Sequence, residues 1–349
     1  MRAVHGSSAS LALCMFLVLL AIQTPAHADE ATRASEYRPG LGWQVPGTSL
    51  KLGGYLTASF EDLRGSGSAV ALDDLSLFGR WEGEGRLRAF AEITLESPLV
   101  YSRGPRRTSS SYVALERLYA DYLYSDRLNF RAGKFLTPIG RWNSVHAGPL
   151  VWTTSRPLIT EQTFPTNATG VMAFGTIPVF GKSVDYSIYS AVGEEWRPDP
   201  KLDPFDNAFG VHAVVSVSAN TEIGLSLASF DQQSAVGERR NLVGFDYFWT
   251  RHRYELDAEA VYRFSEQGAR HDEKGLSVQG VAPLTQGLYA VGRYEFYDQA
   301  GAEPPVNLWL VGLTLKTSSA LVFKVEWRKS STRQALAPDG LMASFSALF

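Results

Sequence analysis

The chain has 349 residues, with 33 Lys and Arg against 36 Asp and Glu, a formal net charge of −3 and a single cysteine. A mildly acidic balance without a basic stripe argues against a nucleic-acid partner. One cysteine excludes a disulfide framework, a Cys-based zinc site and covalent c-type haem attachment together.

Residues 1–28 carry Arg2, the apolar run "LALCMFLVLLAI" and "PAHA" before Asp29, the pattern of a cleavable secretory signal cut after Ala28. The run falls short of the about 20 apolar residues that a spanning helix needs. Cys14 follows Leu13, where a lipidated cysteine would follow a small residue, so it reads as filler and the exported chain has no cysteine. Residues 29–49, rich in Pro and Gly, read as an irregular periplasmic lead.

From Leu50 to Phe349 the sequence predicts one all-β domain built of period-two strands. In "YELDAEAVYRF", Tyr254, Leu256, Ala258, Ala260, Tyr262 and Phe264 share one face, and Glu255, Asp257, Glu259 and Arg263 share the other. "RLRAFAEITLE" and "LVFKVEWRK" divide in the same way. A soluble sandwich also alternates. Two features favour a transmembrane antiparallel barrel instead. Ala and Gly are frequent on the apolar face, where they would fill a core poorly, and aromatic residues collect at the strand ends: Trp81, Tyr124, Trp249 and Tyr254 at one, Phe60, Phe264, Phe296 and Trp327 at the other.

Strands are expected to start near residues 50, 70, 86, 112, 127, 169, 182, 207, 221, 241, 253, 274, 286, 306, 319 and 340. That gives about sixteen strands at roughly 19 residues each with its connection, as such barrels require. Short connections ("EGEG", "YSDR", "PVFGK") alternate with mostly longer ones ("LVYSRGPRRTSSS", "GEEWRPDPKLDP"). Short periplasmic turns opposite long outer loops produce that asymmetry. The last segment, "GLMASFSALF", keeps its alternation to Phe349, as a strand that must close the barrel would, since an unpaired edge in lipid costs several kcal/mol. Phe345 and Phe349 in that pattern resemble the C-terminal signal read by the outer-membrane barrel assembly machinery.

One connection is exceptional. Residues 138–168, between the fifth and sixth strands, far exceed the usual loop length of roughly 4–6 residues. Trp142, Leu150, Val151, Trp152, Leu158, Ile159 and Phe164 make the segment too apolar to stay disordered in water. In strand count and loop position the chain resembles the sixteen-stranded general porins, whose third outer loop folds into the lumen. "RAGKFLTPIGRWN", residues 131–143, resembles the Gly-Lys-Phe, Pro, Gly pattern of the phosphate-selective porin O and P superfamily.

The resemblance implies a water-filled channel in the outer membrane, often a homotrimer set in lipid and lipopolysaccharide, that passes small hydrophilic solutes without a cofactor. Charged rings and a constriction would set selectivity. Candidate constriction residues are Arg141, His146, Arg156 and Glu161 on the loop, facing Arg80, Arg88, Arg117, Asp121 and Arg293 on the wall. Each could equally be a solvated or packing residue. The inward face mixes Arg88 with Glu92 and Glu96, and Arg263 with three acids, without a row of lysines, which points to modest selectivity rather than phosphate specificity. Lys134 shares a face with Phe130 and Ala132, where a lipid-facing lysine would cost about 2–4 kcal/mol. A bulge at Gly133 that re-aims Lys134 into the channel is therefore expected.

Two other function classes remain open. A hydrolase barrel would need a nucleophile, base and acid; His146 lies near Ser144 without a third partner, and His212, His252 and His271 are scattered with no metal-ligand spacing. A structural sheath around a partner such as a multihaem cytochrome would use the same strands, but an inward loop competes with a plug for space.

Overall fold

The computed structural model describes residues 37–103, 111–145, 147–192, 203–268, 271–332 and 336–349; the expected signal segment 1–28 and His146 lie outside them. Two short strands, β1 (Tyr37–Arg38) and β2 (Gly42–Gln44), precede the long ones. These are β3 (Leu50–Leu63), β4 (Gly67–Glu82), β5 (Leu87–Arg103), β6 (Tyr112–Ser125), β7 (Leu128–Leu136), β8 (Asn167–Val179), β9 (Lys182–Val192) and β10 (Phe205–Ser218). They continue with β11 (Thr221–Gln232), β12 (Arg240–Arg251), β13 (Tyr254–Ser265), β14 (Glu273–Pro283), β15 (Leu288–Asp298), β16 (Val306–Lys316), β17 (Leu321–Ser330) and β18 (Gly340–Leu348). The largest offset from expectation is at β4, which begins at Gly67 rather than near residue 70.

Each long strand pairs antiparallel with the next, and β18 returns to β3 with Gly340 opposite Leu63 and Leu348 opposite Tyr55. The sixteen long strands thus form a closed barrel. Pairing persists to Phe349, whose N–H donates to the Gly54 carbonyl while the Gly54 N–H donates to the Phe349 carbonyl, both at 2.9 Å. A side chain at Gly54 would lie 2.6 Å from the Phe349 ring. Glycine leaves room for this ring to approach the first long strand closely.

Burial shows the barrel to be inside-out relative to a soluble domain. On β13, Tyr254, Tyr262 and Phe264 are exposed on the outer surface, whereas Glu259 and Arg263 are buried within. Trp81, Tyr124, Trp309 and Trp327 are likewise exposed. Only hydrocarbon makes that apolar exterior favourable over so many strands.

Two expectations need correction. Residues 37–44 are not irregular: β1 and β2 form a small hairpin that adds Trp43 and Gln44 to the N-terminal end of β3, opposite Leu52 and Lys51. Gly40 and Gly42, both at φ 78°, make its turn. The bulge at Gly133 is also absent, because Leu118 faces Lys134 and Lys134 faces Thr169 in unbroken register. The irregularity is in the backbone of Gly133 instead, at φ 127°, where an added Cβ would lie 2.1 Å from the Leu118 carbonyl oxygen. Lys134 is only 5% exposed, while lipid-facing Leu118 beside it is 48% exposed, so the lysine does not extend over the outer surface.

Gly133→Ala is therefore expected to remove at least about 1–3 kcal/mol through the strained dihedral alone, before the clash is counted. The check is electrophoretic migration without heating, where a folded barrel runs faster than its boiled form. A Gly133→Ala protein that keeps the fast band after urea treatment matching the unsubstituted protein would contradict this.

Candidate channel lumen and constriction

The segment between β7 and β8 enters the barrel as two single turns of 3-10 helix, Trp142–Val145 and Gly148–Leu150, and one turn of α-helix, Leu158–Gln162. Such a segment has many backbone groups without strand partners, and each needs one. The wall supplies them. Glu259 on β13 accepts the N–H groups of Arg141 (2.7 Å) and Trp142 (2.5 Å). Glu326 on β17 accepts those of Thr154 (2.7 Å) and Ser155 (3.0 Å), and Glu295 on β15 accepts that of Leu158 (2.6 Å).

Cations do the converse. Lys324 donates to the Gly148 carbonyl (2.6 Å) and the Thr153 carbonyl (3.2 Å), and Arg263 donates to the Thr163 carbonyl (3.1 Å). Arg293 donates to the Ser155 carbonyl (2.9 Å) and the Thr153 hydroxyl (2.7 Å), while its Nε contacts Glu295 at 2.8 Å. Charge-assisted bonds are about twice as strong as neutral ones, so the segment is firmly held. Between these anchors, Ile139, Leu158, Ile159 and Phe164 pack on Phe135, Phe230, Leu242 and Leu308 of the wall, a dry patch inside the barrel.

The candidate residues take different places against this frame. Arg141 is partly exposed in the lumen, 3.2 Å from Glu222 and 3.6 Å from Asp257, with its guanidinium 3.6 Å from the Phe248 ring centre. Next to it a cavity of ≈ 90 Å³ is lined by Trp152, Phe248, Asp257 and Gln279. Arg156 donates to Asn143 at 3.2 Å within the loop, and Glu161 is solvent-exposed on the short helix. Arg293 is fully buried at the seam between loop and wall. Across the lumen, Arg117 is paired with Glu92 at 2.6 Å and Asp121 with Arg131 at 2.7 Å. Arg80 and Arg88, on inward positions of β4 and β5, are solvent-exposed.

Loop anchoring is the part that the sequence reading missed. It placed Glu259 on the inward face but took that face as water-lining. The available signal was a surplus of inward carboxylates on β13, opposite a long loop that must satisfy its own amides.

The anion-selective porin from Comamonas acidovorans superposes with a TM-score of 0.63 at 14% identity, covering 86% of this chain and 100% of that one. The fold is that of an outer-membrane porin. OmpF from Salmonella typhi, solved with daunomycin, gives 0.63 at 12% identity over 87% of this chain and 98% of its own. The outer membrane channel DcaP of Acinetobacter baumannii gives 0.60 at 10% identity over 86% and 97%. No protein-family model and no curated protein sequence matches the chain. The common element is thus the porin barrel architecture rather than a shared sequence.

Proposed function

We propose that the protein is an outer-membrane porin, a water-filled channel for passive diffusion of small hydrophilic solutes or ions, narrowed by the loop of residues 138–168. One contrast carries this reading. Where the loop covers the wall, the inward Arg293, Glu295 and Glu326 are buried; on β4, β5 and β6, the inward Phe78, Phe90, Arg117 and Tyr119, which lie within the strands, stay partly exposed. A lumen filled edge to edge would have buried both sets.

Export through the 1–28 signal, insertion by the assembly machinery through Phe345 and Phe349, and trimerisation among lipid and lipopolysaccharide complete the reading. The porin O and P resemblance has support in the backbone of its motif. Gly133 (φ 127°) and Gly140 (φ 64°) both hold conformations open to glycine, at the point where β7 hands over to the loop. The mixed lumen charges favour modest selectivity over a phosphate-specific path. The sheath alternative is disfavoured because the loop already occupies the space of a plug.

The reversal potential across a planar bilayer under a KCl gradient tests the constriction. Arg141→Glu adds a carboxylate beside Glu222 and Asp257, and Arg156→Glu adds one in the loop. Each should move the potential toward cation preference. Folded variants with unshifted potentials would remove the loop from the ion path.

A further inference from the structure

The inward face of β4, β5 and β6 carries a row of aromatic rings. Phe78 and Phe90 lie with ring centres 6.0 Å apart and planes 24° from parallel, and Phe90 and Tyr119 with centres 5.5 Å apart at the same angle. Their sequence neighbours Leu77 and Leu118 are exposed on the outer surface, so strand alternation places the rings inside. The row continues through Arg131, whose guanidinium lies 3.7 Å from the Tyr119 ring centre and 5.3 Å from that of Phe174 on β8. None of these rings is fully buried. Packing alone would have covered them, as it covers Phe135 and Phe230.

Charge along the row is unevenly committed. Arg117 lies 4.5 Å from the Phe90 ring centre and is held by Glu92. Arg131 takes both oxygens of Asp121, at 2.7 and 2.9 Å. Arg88 stands directly opposite Asp121 in the β5–β6 register, yet that carboxylate is already used twice. Arg88 is exposed and has no ion pair among the described residues. It lies two residues from Phe90 on the same face, and so forms a cationic end to a flat apolar track.

On the channel reading above, we infer that this row is a binding track for aromatic carboxylates: the ring of the solute stacks on Phe78 and Phe90, and its carboxylate pairs with Arg88. Stacked rings accommodate a further flat ring at the same spacing, and a planar guanidinium donates two parallel hydrogen bonds to a carboxylate. A hydroxyl-rich solute finds fewer partners, because Glu92 is buried and both Asp121 oxygens are taken by Arg131. A cation meets Arg88, while Glu82, the acid opposite Arg88 on β4, is held by Arg80.

The test is block of the KCl current by benzoate, cyclohexanecarboxylate and acetate, added separately to the bilayer. Benzoate should half-saturate at a concentration about two- to tenfold below that of cyclohexanecarboxylate, the value of one aromatic pair, and further below that of acetate. Phe90→Leu, which keeps an apolar residue, should cancel the advantage over cyclohexanecarboxylate. Arg88→Gln should cancel the advantage of benzoate over neutral benzamide. Equal block by the three acids, or unchanged benzoate block in a folded Phe90→Leu protein, would overturn the track. A folded protein that passes no KCl current would overturn the channel instead. The track is then decided by saturation-transfer NMR of benzoate on the detergent-solubilised protein, where signal lost in Phe90→Leu upholds it and absence of signal overturns it.

Discussion

Replacing Glu259 by alanine should give a folded barrel whose channel conducts more, and with more current noise, than that of the unsubstituted protein. Glu259 accepts two loop amides at the point where the chain leaves β7 and turns across the lumen. Without it, each orphaned amide costs about 1–3 kcal/mol if it stays buried. The loop therefore gains by lifting away from β13 and hydrating. Nearby Gly140, at φ 64°, lets the chain pass close to the carboxylate, since an added Cβ would lie 2.7 Å from Glu259 Oε2. The barrel itself keeps every backbone bond of β12, β13 and β14. Glu259→Gln retains an acceptor of the same size and should stay close to the unsubstituted conductance. Single-channel recording separates the three proteins, and a Glu259→Ala channel of unchanged conductance and noise would show that this anchor does not set the loop position.

A disulfide between positions 57 and 148 should form spontaneously in a Thr57→Cys, Gly148→Cys protein. Position 57 is on β3 inside the barrel and position 148 is in the second 3-10 turn of the loop. A Cβ built on Gly148 lies 3.5 Å from the Thr57 Cβ, at the short end of the about 3.5–4.5 Å that disulfides span. The natural chain has its one cysteine at Cys14, in the segment expected to be cleaved, so no competing thiol remains after processing. The cross-link closes a ring of roughly ninety residues, worth about 4–5 kcal/mol in the chain-entropy account. Thiol titration before and after denaturation measures it: no free thiols are expected in the oxidised protein. Two free thiols after export to an oxidising compartment would mean that the loop tip does not rest on β3.

The strands were legible in the sequence because lipid outside and polar contents inside force one residue in two to change character. On β13 every charged position of "YELDAEAVYRF" faces inward as read. The closing strand was legible for the same reason, through Ser344 and Ser346 inside and Phe345 outside. Lys134 broke the pattern visibly, but its explanation did not follow from composition. A positive φ at Gly133 and a bulge leave the same trace in the sequence and differ only in register. The lumen was legible in outline and not in detail. Alternation says that Glu259, Arg293 and Arg117 face inward; it does not say which meets water, which meets the loop and which meets another wall residue. Those assignments depend on the path of some thirty irregular residues, and irregular backbone has no period to read.

On the channel reading, the closed barrel with its long loop anchored inside still leaves an aqueous passage along β4 to β6. Single-channel recording of the purified, detergent-extracted protein in planar bilayers decides whether that passage exists. Discrete, ohmic current steps in KCl are expected from each insertion of the unsubstituted protein. A protein that runs as a folded barrel without heating, inserts into the bilayer and passes no current would show that the lumen is closed.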